Sequence, residues 1–291
     1  MIINAAKRDI NMIEFWQALF FDQDYMFLRL AFLVGILASF TFGIIGTFVV
    51  TRKISYLAGA ISHCVFGGIG AGLYLQEVVG WYWFDPIYGA VIVALLAAII
   101  IGLVSLKAKQ REDTVIGALW AIGMATGLLF IDKVPGAFDM SSYLFGDILL
   151  ISKIDLQLVI VLNILVFAVV YLFYNKLVAV CYDEEFSRLR GINTSFYYIL
   201  LLCMTALTVV LLVRIVGIIL VIALLTLPPA IANIYSKKLW QMMMVAIAFC
   251  IFFVASGLMI SFSYSFSSGA TIIMIGGLTY IVVILGEKIR S

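Results

Sequence analysis

The single histidine of the 291-residue chain, His63, is the side chain best suited to meet a borderline divalent metal ion. Imidazole is the commonest side-chain ligand for zinc and suits related transition metals. His63 sits in the run Ile61-Ser-His-Cys64, deep inside an apolar stretch. A titratable ring at that depth is costly to place and tends to face a bundle interior or a pathway. Two readings are open here: a contact on a metal path, or a neutral histidine hydrogen-bonded to a neighbouring helix. Cys64 points about 100° away on a helix and is a poor co-ligand. Ser62 is a weak candidate for the same path, because helical serines often bond back to the i−4 carbonyl. The four cysteines, Cys64, Cys181, Cys203 and Cys250, are scattered without a C-x-x-C, so neither a disulfide framework nor a structural zinc site is indicated.

A second stretch, Cys181-Tyr-Asp-Glu-Glu-Phe-Ser-Arg-Leu-Arg-Gly-Ile192, carries a different kind of signal. Acidic residues come first, Arg188 and Arg190 follow, and Gly191 supplies a stop: the pattern of a short amphipathic helix. Such an element has the size needed to dock into a partner's groove. An ordinary solvated loop with a charged face would read the same way. The chain has no G-x-x-x-x-G-K-[ST] loop, so it does not bind ATP in that manner itself.

The elements that position these residues follow from composition. Hydrophobic residues make up 65% of the chain, charged ones 12%, and the mean hydropathy is +1.19. A soluble domain is roughly 45–50% apolar and about 25% charged. Most of the exterior must therefore face lipid, and the fold class is an all-α, polytopic transmembrane bundle. Spans are expected near 26–50, 54–75, 86–106, 114–131, 155–174, 195–213, 215–235, 239–261 and 269–286, nine in all, each near the roughly 20 apolar residues a crossing needs. Residues 195–235 could instead form one bent hairpin with Arg214 at its corner, which would leave eight. Asp85-Pro86 and Asp113 supply helix starts. Gly68 with Gly72, and Gly123 with Gly127, have the spacing that lets helix backbones approach closely. Pro228-Pro229 should break or kink the seventh span, which is tolerated only where neighbours or a cavity satisfy the freed carbonyls.

One membrane domain, 1–291, accounts for the whole chain, and no stretch is long or polar enough for a separate soluble domain. Residues 1–23 have the wrong order of charge and apolarity for a cleavable signal peptide. They read as an external segment holding an interfacial helix at 13–21, with Phe15, Trp16, Leu19 and Phe20 on one side. With Arg52 and Lys53 inside, 12 of the 18 basic residues fall on the cytoplasmic side, which puts the amino terminus outside and the carboxyl terminus inside. The external loop 132–154 holds an apolar patch, 143–151, too short to cross and suited to a re-entrant or interfacial position. Residues 175–194 form the long cytoplasmic loop. The net charge of +2 resides in short loops, where it sets orientation, and implies no nucleic acid partner.

Three stretches together resemble a known family: TRKISYLAGAISHCVFGGIGAG (51–72), REDTVIGALWAIGMATGLL (111–129) with YLFGDIL (143–149), and CYDEEFSRLRGI (181–192) followed by ALTVVLLVRIVGIILVIALLTLPPAIA (206–232). The chain is similar, from about residue 28 to 286, to the membrane permeases of ATP-binding-cassette importers for divalent metals, the zinc, manganese and iron branch. The resemblance implies a type II importer-like bundle in the cytoplasmic (inner) membrane of a bacterium, working as a homodimer. Its implied partners are two ATPase subunits and an external metal-binding protein, and its cargo is a divalent metal with no permanently bound cofactor. It makes 182–191 the coupling helix, with Asp183, Glu184, Glu185, Phe186 and Arg188 as contacts and Gly191 as its end. The family's usual aspartate four residues before the histidine is Gly59 here, and a second frequent aspartate falls at Ser265, itself a weak candidate for the path. The loss of a hard oxygen ligand tilts the expected cargo toward zinc. Two other classes fit poorly. A secondary transporter needs acidic residues in mid-span, and a membrane enzyme needs a catalytic cluster; the chain offers neither.

Overall fold

A computed structural model describes residues 15, 16, 19, 25–107, 112–135 and 151–290 of the chain. Every regular element among them is helical: α1 (Met26–Thr51), α2 (Ser55–Glu77), α3 (Pro86–Lys107), α4 (Glu112–Ile131), α5 (Lys153–Tyr182), α6 (Glu184–Leu189), α7 (Thr194–Val216), α8 (Ile218–Tyr235), α9 (Leu239–Tyr264) and α10 (Ser268–Arg290). All but α6 are long and apolar enough to cross a bilayer, which gives nine spans among the described residues. The doubtful stretch 195–235 is two helices, α7 and α8, parted by Gly217 alone, whose φ of 83° is a backbone conformation that glycine adopts at no steric cost. Asp85 caps α3 as its sequence suggests, its Oδ1 accepting from the Ile87 N–H at 2.8 Å.

The helices form two compact units. One holds α2, α3, α4, the later part of α5, α6 and nearly all of α7. In it, α2 lies against both α3 and α4 along glycine faces. A Cβ at Gly68 would stand 2.5 Å from the Gly89 carbonyl oxygen, and one at Gly72 2.6 Å from the Pro86 Cα. On the α4 side, Cβ atoms at Gly67 and Gly70 would fall 2.7 and 2.6 Å from the carbonyl oxygens of Gly123 and Gly127. The small-residue spacing therefore brings backbones together, the contact that drives helix association where lipid gives no hydrophobic preference. Gly68→Val should part α2 from α3 at a cost of roughly 1–3 kcal/mol or more. Its unfolding midpoint in detergent should drop by several degrees, whereas Gly117→Ala, which meets open space inside a helix, should not lower it.

The other unit gathers most of α1, the first turns of α5, and α8, α9 and α10. Gly43 of α1 lies against Ile247 of α9, and Gly257 of α9 against Ile272 of α10. A buried polar clasp ties α1 to α5. The Thr41 hydroxyl donates to Asn163 Oδ1 at 3.0 Å, and the Asn163 amide donates to the carbonyls of Leu37 and Val159 at 3.0 and 2.9 Å. With all of these groups paired, Asn163 belongs to packing rather than to a path.

Two expectations need correction. The fifth span does not stop at 174: α5 continues to Tyr182, so residues 175–194, read as a loop, are mostly helix. Lys176 lies on that helix and sits over the Tyr197 ring, 5.7 Å from its centroid, so a cation there did not mark its end. The prolines do not break the seventh span, since α8 runs on as one helix through Pro228 and Pro229. The carbonyls they strip of a partner are those of Leu224 and Leu225. The Cys250 thiol donates to the first at 3.8 Å, and Gly46 brings the α1 backbone against the second. Phe15 and Leu19 belong to the amino-terminal segment read as an interfacial helix. They are buried in a small cluster with Leu28, packed against Tyr25, Phe32, Met259 and Phe262, while Trp16 stays exposed. Residues 143–150 of the apolar patch, which include the YLFGDIL stretch, and Phe20 lie outside the described residues.

Candidate functional site

His63 lies in the middle of α2, half-buried, on the face turned to α4. Its ring stacks on the indole of Trp120, with centroids 4.3 Å apart and planes 15° from parallel. The imidazole makes no hydrogen bond among the described residues, and its Nδ1 is enclosed without a partner. The neighbouring helix thus meets the histidine through a ring face and leaves a buried nitrogen open. Such a nitrogen is costly unless something pairs with it. Gly59 stands one turn earlier on the same face. A Cβ built there would touch Trp120 Cζ3 at 3.8 Å, an ordinary contact, so the indole covers both positions. Trp120 was missed by the sequence reading. An aromatic residue in an apolar run carries no signal that it will lie over a particular histidine.

The other path candidates are placed differently. Ser62 is fully buried and its hydroxyl donates to the Ala58 carbonyl at 2.8 Å, the backbone bond typical of helical serines. Ser265 belongs to the other unit, where it is exposed and closes α9 in a left-handed conformation with φ 55°. Its N–H returns to the Ser261 carbonyl. Cys64 donates its thiol to the Leu119 carbonyl at 3.3 Å. Among the described residues no three His, Cys, Asp or Glu side chains gather as a metal set.

The short helix α6 is built from its own sequence. Asp183 is its N-cap, with an extended backbone and Oδ1 accepting from the Phe186 N–H at 2.9 Å. Glu184 and Glu185 occupy the first turn and Arg188 the last, which suits the helix dipole. Gly191, with φ 77°, ends the turn. Glu184 is held from two sides, by Arg188 at 3.2 Å and by Arg52 at the end of α1. Arg52 also donates to the Val180 carbonyl at 3.2 Å and lies over the Tyr198 ring. Asp183 and Glu184 therefore shape and anchor the helix, while Phe186, 50% exposed, and Leu189, 87% exposed, stand out from it. The Arg190 guanidinium covers one face of the Phe186 ring, 4.6 Å from its centroid. Leu189 was absent from the expected contacts, although its i+3 relation to Phe186 was legible. Arg52 was read only as an orientation marker, because its carboxylate partner is 132 residues away.

The sequence pattern of the ABC 3 transport family matches residues 24–287. The chain belongs to the ABC 3 transport family. Members are membrane permeases of ATP-binding-cassette transporters, so the chain is a transport subunit rather than an enzyme. It is 36% identical over 250 residues to a probable metal transport system membrane protein of Chlamydia pneumoniae, covering 86% of this chain and 85% of that one. It is 31% identical over 262 residues to the manganese transport system membrane protein MntC of Listeria innocua, covering 90% and 91%. Among solved structures, PsaBC from Streptococcus pneumoniae in complex with Fab matches with a TM-score of 0.81 and 28% identity, over 94% of this chain and 95% of that one.

Proposed function

We propose that this ABC 3 permease admits divalent metal ions across the cytoplasmic (inner) membrane of a bacterium, driven by ATP hydrolysed on separate subunits. The observation that carries the reading is a family match from residue 24 to 287 joined to an α6 that presents Phe186 and Leu189 outward. Two ATPase subunits take that helix, one on each permease of a homodimer, and an external metal-binding protein delivers the ion. The names of the Chlamydia and Listeria relatives support a metal cargo.

His63 is the contact for the passing ion. Its buried, unpartnered Nδ1 offers a nitrogen donor in mid-span, and the isolated position of that donor suits passage: conduction needs sites weak enough to leave. Ser62, fully buried with its hydroxyl bonded to the Ala58 carbonyl, contributes at most a carbonyl along the route. With Gly59 where the family has an aspartate, one turn from His63, the donor set lacks a hard oxygen, which favours zinc over manganese and iron. Manganese, named for the Listeria relative, is the competing cargo.

The test is uptake of radioactive zinc, manganese and iron by cells with and without this chain, expressed with its ATPase and binding protein. Zinc accumulation should depend on the chain and exceed that of the other two. Dependence on manganese alone would correct the cargo, and dependence on none would remove the importer reading.

A further inference from the structure

Next to α6, the ends of α1, α3 and α7 enclose a cleft of about 450 Å³. Its polar wall holds three cations, Arg52, Lys53 and Arg188, one carboxylate, Glu184, and the hydroxyls of Ser105 and Tyr198. Three positive groups against one negative leave +2. Glu184 is already shared by Arg52 and Arg188, so it cannot also neutralise Lys53, which makes no ion pair among the described residues. Ser105 and Tyr198 are bonded to one another at 3.0 Å, which braces the back of the cleft. The wall also has an apolar side, Ile54 and Leu106.

The position narrows the ligand. Arg52 and Lys53 directly follow α1, Leu106 is in the last turn of α3, and Glu184 follows α5 by two residues. All lie where spans end, on the side that the distribution of basic residues assigns to the cytoplasm. Phospholipid phosphates stand at that level, and basic pockets between spans on the cytoplasmic side take anionic headgroups. Guanidinium groups meet phosphate oxygens bidentately, and the apolar side suits the first carbons of an acyl chain.

We propose that this cleft binds the phosphate of an anionic phospholipid from the cytoplasmic leaflet, bridging the α1–α2 turn to α6. The lipid steadies the helix on which ATPase docking rests in the function proposed above, so anionic lipid should raise coupling.

The complex of permease and ATPase is placed in nanodiscs of equal parts phosphatidylglycerol and phosphatidylcholine, and the lipid carried by the permease chain is counted by native mass spectrometry. Phosphatidylglycerol should be retained in preference. Lys53→Asn, which keeps a residue tolerant of the left-handed backbone at φ 60°, should weaken retention about fivefold, and Arg188→Gln by a similar factor. Lys237→Asn, an exposed cytoplasmic lysine outside the cleft, should not. Equal retention of the two lipids, or an equal loss in Lys237→Asn, would overturn the site in favour of diffuse surface attraction. A matching arm adds inorganic phosphate to the complex in detergent. If phosphate displaces the retained lipid only at concentrations far above those of the headgroup, the lipid is the ligand. If it binds as tightly without lipid, the cleft belongs to a soluble anion and the lipid proposal fails. Phe186→Asp separates the two readings, since it should abolish coupling and leave lipid retention intact.

Discussion

Replacing His63 with alanine is expected to cut metal uptake per permease molecule at least about tenfold while the protein still accumulates in the membrane. The fold stands to lose little. The imidazole makes one stack with Trp120 and no hydrogen bond among the described residues. An aromatic pair of that kind contributes about 0.5–1.5 kcal/mol, and polar contacts between spans average about 0.6. The glycine contacts of α2 with α3 and α4 are untouched. A ring that only packed would therefore lower expression slightly and leave transport per molecule unchanged. A ring that meets the ion is another matter, because even outer-shell partners of a metal typically change affinity about 10–100-fold. The measurement is uptake normalised to permease in the membrane, read together with metal-stimulated ATPase activity, and both should fall. The reciprocal change is Gly59→Asp. The nearest atom to the new Cβ is Trp120 Cζ3 at 3.8 Å, so the first side-chain atom meets no clash, and the residue stands one turn from the imidazole. It should tighten metal binding and slow release. Unchanged uptake per molecule in His63→Ala would return the histidine to packing.

How far the sequence could be read depended on how local each cause was. The spans were legible because apolar runs of sufficient length bounded by polar turns leave little freedom in lipid, and Asp85-Pro86 marked its helix start through a bond two residues long. The glycine pairs were legible for the same reason: spacing on one helix decides which face is smooth. The misses are nonlocal. The prolines of α8 looked like an interruption because the groups that accommodate them, Cys250 and Gly46, come from α9 and α1. Trp120 has no periodicity that assigns it to His63. α5 runs on past 174, where Lys176 meets Tyr197 of another span, a contact that spacing along the sequence does not announce. Within α6 the order of acidic, apolar and basic residues foretold a helix. It did not reveal that Glu184 is turned to Arg52, leaving the two apolar side chains as its outward face.

That division of roles within α6 sets the second expected result: Phe186→Asp should abolish coupled transport in a permease that remains folded. The helix itself does not need the phenyl ring. Its cap uses the backbone N–H of residue 186, its anchor is the Glu184–Arg52 pair, and its buried side chain is Ser187, whose hydroxyl donates to the Asp183 carbonyl at 2.7 Å. Arg190 already lies over the ring, so in the free permease a new carboxylate has a cation within reach and open water around it. In a docked complex the same carboxylate would enter an apolar contact and lose that water, at a cost of a few kcal/mol if no partner meets it. Two apolar tips share the helix, so Leu189→Asp should act alike. Glu185→Gln, a change among the polar residues of the first turn, should act weakly. The readouts are metal uptake and the amount of ATPase that co-purifies with the permease, and both should drop sharply in the two aspartate variants. Thermal stability of the isolated permease should stay within about 0.5 kcal/mol of the parent, as expected for a surface change. If the ATPase still co-purifies and uptake persists in Phe186→Asp, docking lies elsewhere on the cytoplasmic side, and α6 is a solvated turn held in place by Arg52.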